Sequence, residues 1–379
     1  MTPELDIAVI GAGLGGLVAA ALLERRGCRV RVYEQAPAFE RLGAGINLGP
    51  NAMKVLRAAG VEDKLLEIGL RPEYWISRKF DTGETMFRYD MRDVCEAAFG
   101  ACYMVIHRGD FHQILTDNVA PGTVAFGKKL VGLEQESASV ALEFEDGGRQ
   151  TADIVIGADG IDSMVREALL GPARPVYSGY VGHRCIIPAE KLGDLAPADV
   201  SKWWSDDAHR DTHMVVYYLD RNHDEIYFVT GVPEPEWDYG FSHVDADYDE
   251  LRAAFAEFHP EIHTLIDISS GATKWPLFDR EPLPVWSDGR LVLIGDACHP
   301  MKPHMGQGAA MAIEDAAILV RCLERFGEDY GSAFALYENA RKGRCEQVQQ
   351  GSRDNKWLRD PMDPGWVFSY DAVTAPLGA

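Results

Sequence analysis

The stretch Ile7-Ala8-Val9-Ile10-Gly11-Ala12-Gly13-Leu14-Gly15-Gly16 decides the fold. Its four apolar residues at 7–10 are typical of a short buried strand, and the glycines at 11, 13 and 16 match the pattern G-x-G-x-x-G. A helical stretch continues to about Arg26, and Arg29–Tyr33 predicts a second strand. This strand-helix-strand order predicts a Rossmann-like dinucleotide-binding fold.

Each glycine of this turn has a separate task in such a fold. Gly11 permits the sharp turn, Gly13 lets a pyrophosphate approach the backbone, and Gly16 lets the helix pack on the strand. The helix N-terminus then offers free N–H groups and a partial positive charge to the anion. Glu34 follows the second strand, where an acidic side chain can accept hydrogen bonds from a ribose.

Composition and charge exclude several classes of protein. The 379 residues include 37 Lys and Arg against 59 Asp and Glu, a formal net charge of −22. Such a chain repels phosphate backbones, so we expect no nucleic-acid partner, and any anionic substrate needs a local positive site. There is no apolar run of ~18 residues, so we expect no membrane span. Seven scattered cysteines without a C-x-x-C pair predict a cytoplasmic protein with no disulfide framework and no metal site.

The middle of the chain has a different pattern from its two ends. His213–Leu219 and Ile226–Val232 are rich in Val, Tyr, Phe and Ile and are separated by a polar turn, which predicts an antiparallel sheet. Buried-strand and helix patterns return from about residue 290. We therefore predict an α/β fold: a Rossmann-like domain in residues 1–176, an inserted antiparallel-sheet substrate domain in 177–285, and completion of the first domain in 286–379.

Two later motifs identify the family. Gly157-Ala158-Asp159-Gly160 and Gly295-Asp296-Ala297-Cys298-His299-Pro300 each follow a predicted strand, and Gly306-Gln307-Gly308 opens a long helix. With the first glycine turn, in this order, they resemble the FAD-dependent aromatic monooxygenases, the single-component hydroxylases of the salicylate and para-hydroxybenzoate hydroxylase type. The resemblance runs from Ile7 to about Tyr370.

The resemblance implies FAD as the cofactor. In this family the aspartate equivalent to Asp296 bonds the ribityl chain, and the aspartate equivalent to Asp159 contributes to binding of both FAD and the nicotinamide cofactor. The helix that starts at Gly308 would point its N–H groups at the reduced flavin. The expected cofactor-binding residues are Gly13, Gly16, Glu34, Arg41, Arg108, Leu130, Asp159, Asp296, Pro303, Gly306 and Gly308.

No second glycine motif follows the first. This absence favours transient binding of NAD(P)H at the surface, as in this hydroxylase class. The nearest members favour NADH, and NADPH stays open. The resemblance also implies O2 as a co-substrate, and the acidic chain permits a monomer or a homodimer.

His213, Tyr217 and His304 are the expected catalytic residues. His213 and Tyr217 are four residues apart on one predicted strand, so they share a face with Val215 between them. All three match residues of the family's substrate pocket, together with Asn47. A His or Tyr in hydrogen-bond reach of a ring hydroxyl would promote its deprotonation and make the ring electron-rich.

Within the family, the similarity is greatest to enzymes that replace the carboxylate of a hydroxypyridine carboxylate, such as 6-hydroxynicotinate, by a hydroxyl group with loss of CO2. One departure is that those enzymes carry His where this chain has Asn47, which cannot titrate. Another aromatic or N-heteroaromatic acid therefore stays open, hydroxylated with or without decarboxylation. A non-catalytic FAD-binding protein of the same fold is the third alternative.

Overall fold

A computed structural model describes residues 5–41, 44–206, 212–240 and 243–378 of the chain. Its strands are β1 (Asp6–Ile10), β2 (Arg29–Tyr33), β3 (Gly45–Leu48), β4 (Tyr74–Lys79), β5 (Thr85–Asp90), β6 (Met104–His107), β7 (Val124–Ala125), β8 (Leu130–Gln135), β9 (Val140–Phe144), β10 (Arg149–Ala152), β11 (Ile154–Gly157), β12 (Val176–Pro188), β13 (Val200–Trp204), β14 (His213–Tyr218), β15 (Glu225–Pro233), β16 (Val244–Asp245), β17 (Thr273–Asp279), β18 (Ser287–Asp288) and β19 (Leu291–Leu293).

The helices lie between groups of these strands and at the end of the chain. They are α1 (Leu14–Glu24), α2 (Pro50–Ala59), α3 (Glu62–Ile68), α4 (Asp93–Phe99), α5 (Arg108–Thr116), α6 (Met164–Leu170), α7 (Tyr248–Ala254), α8 (Pro260–Ile268), α9 (Gly308–Phe326), α10 (Tyr330–Asp354) and α11 (Gly365–Phe368). In these ranges no helix combines the length and the hydropathy that crossing a bilayer requires. All seven cysteines are buried as free thiols.

The predicted Rossmann-like core is confirmed as a six-stranded sheet in the order β18-β19-β11-β1-β2-β7. All neighbours are parallel except β18 and β19. In the register, Ile10 lies opposite both Tyr33 and Gly157, and Gly157 lies opposite Leu293. The four central strands therefore end together, and the motifs that follow them meet at one edge of the sheet.

Helix α1 is buried along almost its whole length, from Leu14 to Leu23. It packs against α9, where a Cβ built on Gly15 would lie 3.0 Å from the Ala312 Cβ. Small residues in α1 permit this close approach. As a result, the N-termini of α1 and α9 both point toward the edge where the motifs meet.

The predicted antiparallel sheet is also present, and it has eight strands in the order β16-β17-β12-β15-β14-β13-β4-β5. Its pairs are antiparallel except β13 with β4, which run parallel. Strands β4 and β5 come from residues 74–90, so an N-terminal segment completes a sheet built mostly from residues 176–279. The domain boundaries at 176/177 and 285/286 stay a prediction.

Candidate active site

In the glycine turn after β1, the space around each glycine shows whether chain packing excludes a side chain at that position. Gly11 has φ +101°, and a Cβ there would lie 2.4 Å from the Ala158 carbonyl oxygen. A Cβ on Gly16 would lie 2.2 Å from the Gly11 carbonyl oxygen. A Cβ on Gly13 would meet nothing nearer than 4.0 Å. Gly11 and Gly16 thus serve chain packing, whereas Gly13 leaves its face open for a close-approaching ligand.

Three adjoining cavities share Gly13 and run along the edge of the six-stranded sheet. One of about 600 Å³ is lined by Glu34, Leu130 and Asp159, and one of about 190 Å³ by Glu34 and Arg108. The third, of about 330 Å³, extends past Arg108 and Asp296 to the start of α9 at Gly308. We call these three together the edge cavity. It collects most of the residues that the sequence assigned to the cofactor.

Glu34 is held in place by backbone amides. Its Oε2 accepts from the Ala12 N–H and its Oε1 from the Ala36 N–H, both at 2.8 Å. Each carboxylate oxygen has a second lone pair, so the side chain can also accept from ribose hydroxyls. This geometry supports the role that the sequence predicts for Glu34.

Asp159 has two roles at the edge cavity. Its carboxylate accepts from the Ser163 hydroxyl at 2.5 Å and from the Val165 N–H at 3.1 Å, which stabilises the start of α6. The same residue lines the cavity, and burial raises the pKa of its carboxyl group. Asp159 therefore fixes the local turn as well as facing the ligand space.

Arg108 and Asp296 line the part of the edge cavity nearest α9. Neither side chain has a hydrogen bond or ion pair with any residue that the structure describes. Burial and the nearby Arg184 lower the pKa of Arg108, and burial raises the pKa of Asp296. The Asp296 residue is accessible from the cavity, and the protein atoms around that cavity account for the raised pKa. A half-buried arginine and an accessible carboxylate that face the same cavity without described partners indicate a ligand that supplies both phosphate and hydroxyl groups.

The start of α9 lines the end of the edge cavity, and a short segment leads into it. Pro303–Met305 is a turn of 3-10 helix, Gly306 follows with φ +64°, and Gly308 is the first residue of α9. The first N–H groups of a helix have no intrahelical partners and carry a partial positive charge. The cavity thus joins an open glycine turn, a ribose acceptor, an arginine, a free carboxylate and a helix N-terminus, which fits FAD.

A buried ion network holds the Asp296 turn and α9 together. Arg341 of α10 donates to Glu314 and Asp315 of α9, at 2.7 Å each. Asp315 also accepts from His299 at 2.5 Å and from the Gly295 N–H at 3.0 Å. Burial would raise the pKa of Asp315, but His299 and Arg341 outweigh it and lower the pKa to about 2. His299 therefore has a structural role beside the cofactor space.

His213 and His304 come together, as the sequence predicts for a shared pocket. Their ring centroids are 5.1 Å apart and the rings are nearly perpendicular, at 85°. His304 Nδ1 donates to the Ser352 carbonyl oxygen at 2.8 Å, and its Nε2 has no hydrogen-bond partner in the described part of the chain. Burial lowers the pKa of His304 to about 3, so its ring is neutral and Nε2 presents a lone pair.

Strand β3 connects this pocket to the edge cavity. A Cβ on Gly45 would lie 2.4 Å from the Tyr217 hydroxyl oxygen, and a Cβ on Gly306 would lie 3.4 Å from Asn47 Nδ2. Ile46, which lies between Gly45 and Asn47 on β3, lines the edge cavity. Burial raises the pKa of Tyr217 well above its usual range, so its hydroxyl is neutral. Tyr217 and Asn47 therefore lie beside the end of the cofactor space.

Arg41 has a different position from the other predicted cofactor residues. Its guanidinium pairs with Asp110 at 2.6 Å and with Glu225 at 3.0 Å, and it lines a separate cavity of about 610 Å³. Leu42 and Gly43, which follow it, lie outside the described residues. Contact between Arg41 and FAD stays a prediction.

Sequence reasoning missed two cations that share the face of His213 and Tyr217. In the sheet register, Lys202 lies opposite Val215, Val215 opposite Val229, and Val229 opposite Arg184. Directly opposed residues share a face, so this row has one cation at each end. The alternation of apolar and polar residues in β12 could have indicated Arg184, but the pairing of β12 with β15 could not be read from the sequence.

The comparisons with known proteins agree with this geometry. The family described as FAD binding domain matches residues 4–352. A 6-hydroxynicotinate 3-monooxygenase of Bordetella bronchiseptica is 51% identical over 98% of this chain and 96% of its own length. The enzyme of the same name from Pseudomonas fluorescens is 50% identical over 100% and 98%. Klebsiella pneumoniae HpxO, solved with FAD and uric acid, superimposes with a TM-score of 0.81 at 28% identity over 92% and 87% of the two chains.

These matches extend over the sheet that carries His213 and Tyr217 as well as over the edge cavity, so they involve the whole two-sheet architecture. The relatives are named as monooxygenases, which excludes the non-catalytic alternative. The chain is therefore an enzyme that binds FAD, and it belongs to the FAD binding domain family of flavoprotein hydroxylases.

Proposed function

We propose that this enzyme hydroxylates a hydroxypyridine carboxylate at the carbon that carries the carboxylate, with release of CO2. The first candidate substrate is 6-hydroxynicotinate, and the product would be 2,5-dihydroxypyridine. In this reaction NADH supplies two electrons and two protons are taken up. One atom of O2 becomes the new ring hydroxyl, the other leaves as water, and the carboxylate carbon leaves as CO2. NADPH is the alternative reductant.

One structural observation carries this proposal. Strand β3 contacts both spaces, because its Ile46 lines the edge cavity together with Gly308 and its Gly45 lies against the Tyr217 hydroxyl group. A ring substrate on that face would lie next to the reactive end of the cofactor. When bound, FAD supplies the transfer of electrons from the nicotinamide to O2.

The residues of this face have complementary tasks. The neutral hydroxyl of Tyr217 donates a hydrogen bond to the ring oxygen and stabilises negative charge that develops there. The lone pair of His304 Nε2 accepts from a ring N–H or O–H group. A ring that is held in this way is electron-rich at the carbon that carries the carboxylate.

The charge of the face supports an anionic substrate. The protein has a net charge of −22, yet Lys202 and Arg184 lie at the two ends of one row on this face. The Arg184 guanidinium stacks over the Trp275 ring at 4.8 Å and forms no ion pair with a described residue. Arg184 supports the local positive site that a carboxylate needs in an acidic protein, whereas the buried Lys202 donates to Asn355 at 2.8 Å.

Asn47 supports a second candidate substrate, another hydroxylated aromatic acid, because the similar hydroxypyridine enzymes carry His at this position. Its Oδ1 is buried without a hydrogen-bond partner in the described ranges, so it can accept one from the substrate. The buried free thiols support a reducing compartment, and we propose a cytoplasmic enzyme that is a monomer or a homodimer.

The test is a screen of aromatic acids for acceleration of NADH oxidation by the FAD-loaded enzyme. We expect 6-hydroxynicotinate to accelerate oxidation and to yield CO2 and dihydroxypyridine in equal amounts. Salicylate and 4-hydroxybenzoate serve as carbocyclic comparisons. Faster oxidation with one of these acids, and none with 6-hydroxynicotinate, would move the assignment to the second candidate.

A further inference from the structure

A buried negative charge lies in α9, six residues after the helix begins. Glu314 has no exposed surface, and Arg344 of α10 donates to both of its carboxylate oxygens, at 2.7 and 2.9 Å. Burial would raise the pKa of Glu314, but Arg341 and Arg344 outweigh it and lower the pKa. Glu314 is therefore ionised, and an ionised carboxylate can only accept hydrogen bonds.

Asn51 connects this charge to the start of the helix. It lies in the first turn of α2 and is completely buried. Its Nδ2 donates to Glu314 Oε1 at 2.7 Å and to Gln307 Oε1 at 3.0 Å. Because Glu314 only accepts, the Asn51 amide must turn its NH2 group toward it, and both hydrogens of that group are then used.

The oxygen of the same amide shows what decides its orientation. Asn51 Oδ1 is buried and has no hydrogen-bond partner among the residues that the structure describes. A buried acceptor without a partner is unfavourable. The amide is therefore placed by its bonds to Glu314 and Gln307, and not by the needs of its own oxygen.

Gln307 precedes α9 and is held at two points. Its side-chain oxygen accepts from Asn51, and its carbonyl oxygen accepts from the Met311 N–H at 2.9 Å, which is the first hydrogen bond of the helix. The next two residues, Gly308 and Ala309, line the edge cavity. Their N–H groups belong to the first turn and have no intrahelical partner. The position of Gln307 therefore sets where these N–H groups lie.

We propose that Asn51 and Gln307 are positioning residues for the flavin, because they connect the fixed charge of Glu314 to the first turn of α9 and hold its N–H groups beside the cofactor. The proposal rests on FAD occupying the edge cavity, and it holds for any aromatic acid as substrate. A reduced flavin carries more negative charge than an oxidised one, and a helix N-terminus favours that charge. A displaced first turn should therefore weaken the binding of reduced FAD more than that of oxidised FAD.

Asn51→Leu tests this proposal in the FAD-loaded enzyme without any aromatic acid. Leucine has a similar volume but donates no hydrogen bond. We expect reduced FAD to bind about tenfold more weakly relative to oxidised FAD, which for a two-electron couple is a fall of about 30 mV in the midpoint potential. Reductive titration against a reference dye measures this potential. The Kd for oxidised FAD, measured by reconstitution, should rise by a smaller factor.

Asn118→Leu is the matched control. Asn118 Nδ2 donates to the Ala59 carbonyl oxygen at 3.0 Å, so this exchange removes an amide that supports the other end of α2. We expect a loss of stability in Asn118→Leu but a wild-type midpoint potential. A wild-type potential in Asn51→Leu overturns the proposal. An equal fall in both variants also overturns it, because the fall would then report a general loosening of α2.

Gln307→Met tests the other end of the connection and leaves the bond between Asn51 and Glu314 in place. It should lower the potential as Asn51→Leu does. If the two residues act through their shared bond, the double variant shows no larger fall than either single variant, whereas additive falls contradict the proposal. If Asn51→Leu does not fold, Gln307→Met decides, and a wild-type potential in that variant overturns the proposal. Failure to hydroxylate a pyridine acid contradicts the proposed function instead, since these measurements use no substrate.

Discussion

Gly45 and Tyr217 are in direct contact: a Cβ on Gly45 would lie 2.4 Å from the Tyr217 hydroxyl oxygen and 2.5 Å from its Cε2. Gly45 belongs to β3, beside the edge cavity, and Tyr217 belongs to β14 of the eight-stranded sheet. Tyr217 is 2% exposed, so it has little room to move away. The missing side chain at position 45 therefore sets where the Tyr217 hydroxyl lies.

Gly45→Ala tests this contact. The added methyl group must displace the Tyr217 ring, and a displacement of about 1 Å in an active site can cost about 100-fold in rate. We expect kcat to fall on that order while FAD content and fluorescence stay normal. Gly343→Ala is the control, because a Cβ there meets nothing within 4 Å. Position 343 is exposed in the interior of α10, so this variant should keep full activity and add about 0.5–1 kcal/mol of stability. A wild-type kcat in Gly45→Ala would contradict the proposal that position 45 sets the place of the Tyr217 hydroxyl group.

Tyr217→Phe tests the hydroxyl itself. The variant should bind FAD and oxidise NADH faster when substrate is present, but release hydrogen peroxide in place of product. The reason is that the ring oxygen loses the donor that stabilises its charge. Product and peroxide per NADH are the measurements. Tyr218→Phe, at the next residue and on the opposite face, should stay coupled. Full coupling in Tyr217→Phe would remove the role assigned to this residue.

Asp296→Ala tests the cofactor assignment. Asp296 has no described protein partner, so its loss costs the fold little, whereas a bond between a carboxylate and a ribityl hydroxyl is worth about 1.5–3 kcal/mol. We expect the Kd for FAD to rise by about 10- to 100-fold and the protein to lose flavin absorbance during purification. The exposed Asp288→Ala is the control. An FAD-replete Asp296→Ala enzyme would exclude the proposed contact.

Acid should weaken the protein through two buried histidines. Burial lowers the pKa of His183 to about 4 and that of His304 to about 3, from 6.5. The unfolded chain then binds more protons than the folded one below pH 6.5, so stability falls as pH falls through this window. Each histidine should contribute a loss of about 2 kcal/mol between pH 6.5 and pH 5. Urea unfolding at the two pH values measures this loss.

His183→Asn should remove about half of that pH-dependent loss, because the amide can keep a hydrogen bond to Thr230 and does not titrate. His223, which is exposed on a turn, provides the control exchange His223→Asn. If His183→Asn and the wild type lose the same stability between the two pH values, His183 is not one of the groups responsible.

Arg341→Met tests the buried ion network. The exchange keeps an apolar stem but leaves Glu314 and Asp315 without their shared cation in a site with no solvent exposure. Breaking one side of a buried pair typically costs about 3–5 kcal/mol of unfolding free energy. Arg325→Met, on the exposed side of α9, should cost less than about 0.5 kcal/mol. Equal denaturation midpoints for the two variants would show that the network adds little.

The local parts of the site could be predicted because they are short motifs with a fixed backbone task. The glycines at 11, 13 and 16, Glu34 and the Asp159 and Asp296 turns each follow a strand of one parallel sheet. In such a sheet the ends of the strands meet, so the residues after them converge without further information. The shared face of His213 and Tyr217 follows in the same way from the alternation along one strand.

The long-range parts could not be predicted, because they depend on pairing between distant segments. The parallel pairing of β13 with β4 joins residues more than a hundred positions apart. The same is true of Asn355, which reaches His213 only because α10 ends beside β14. The orientation of Arg41 depends on distant residues in the same way. Its guanidinium pairs with Asp110 and Glu225, and neither partner belongs to the motif that contains Arg41.

The joining of β4 and β5 to the larger sheet has a consequence for engineering. A fragment cut at residues 177 and 285 would lack two of its eight strands and would expose an unpaired β13 edge, which invites aggregation. Residues 177–285 therefore cannot be moved alone into another protein to transfer substrate preference. Recombination with a homologue has to exchange residues 74–90 together with 176–279, or the hybrid protein is expected to be insoluble.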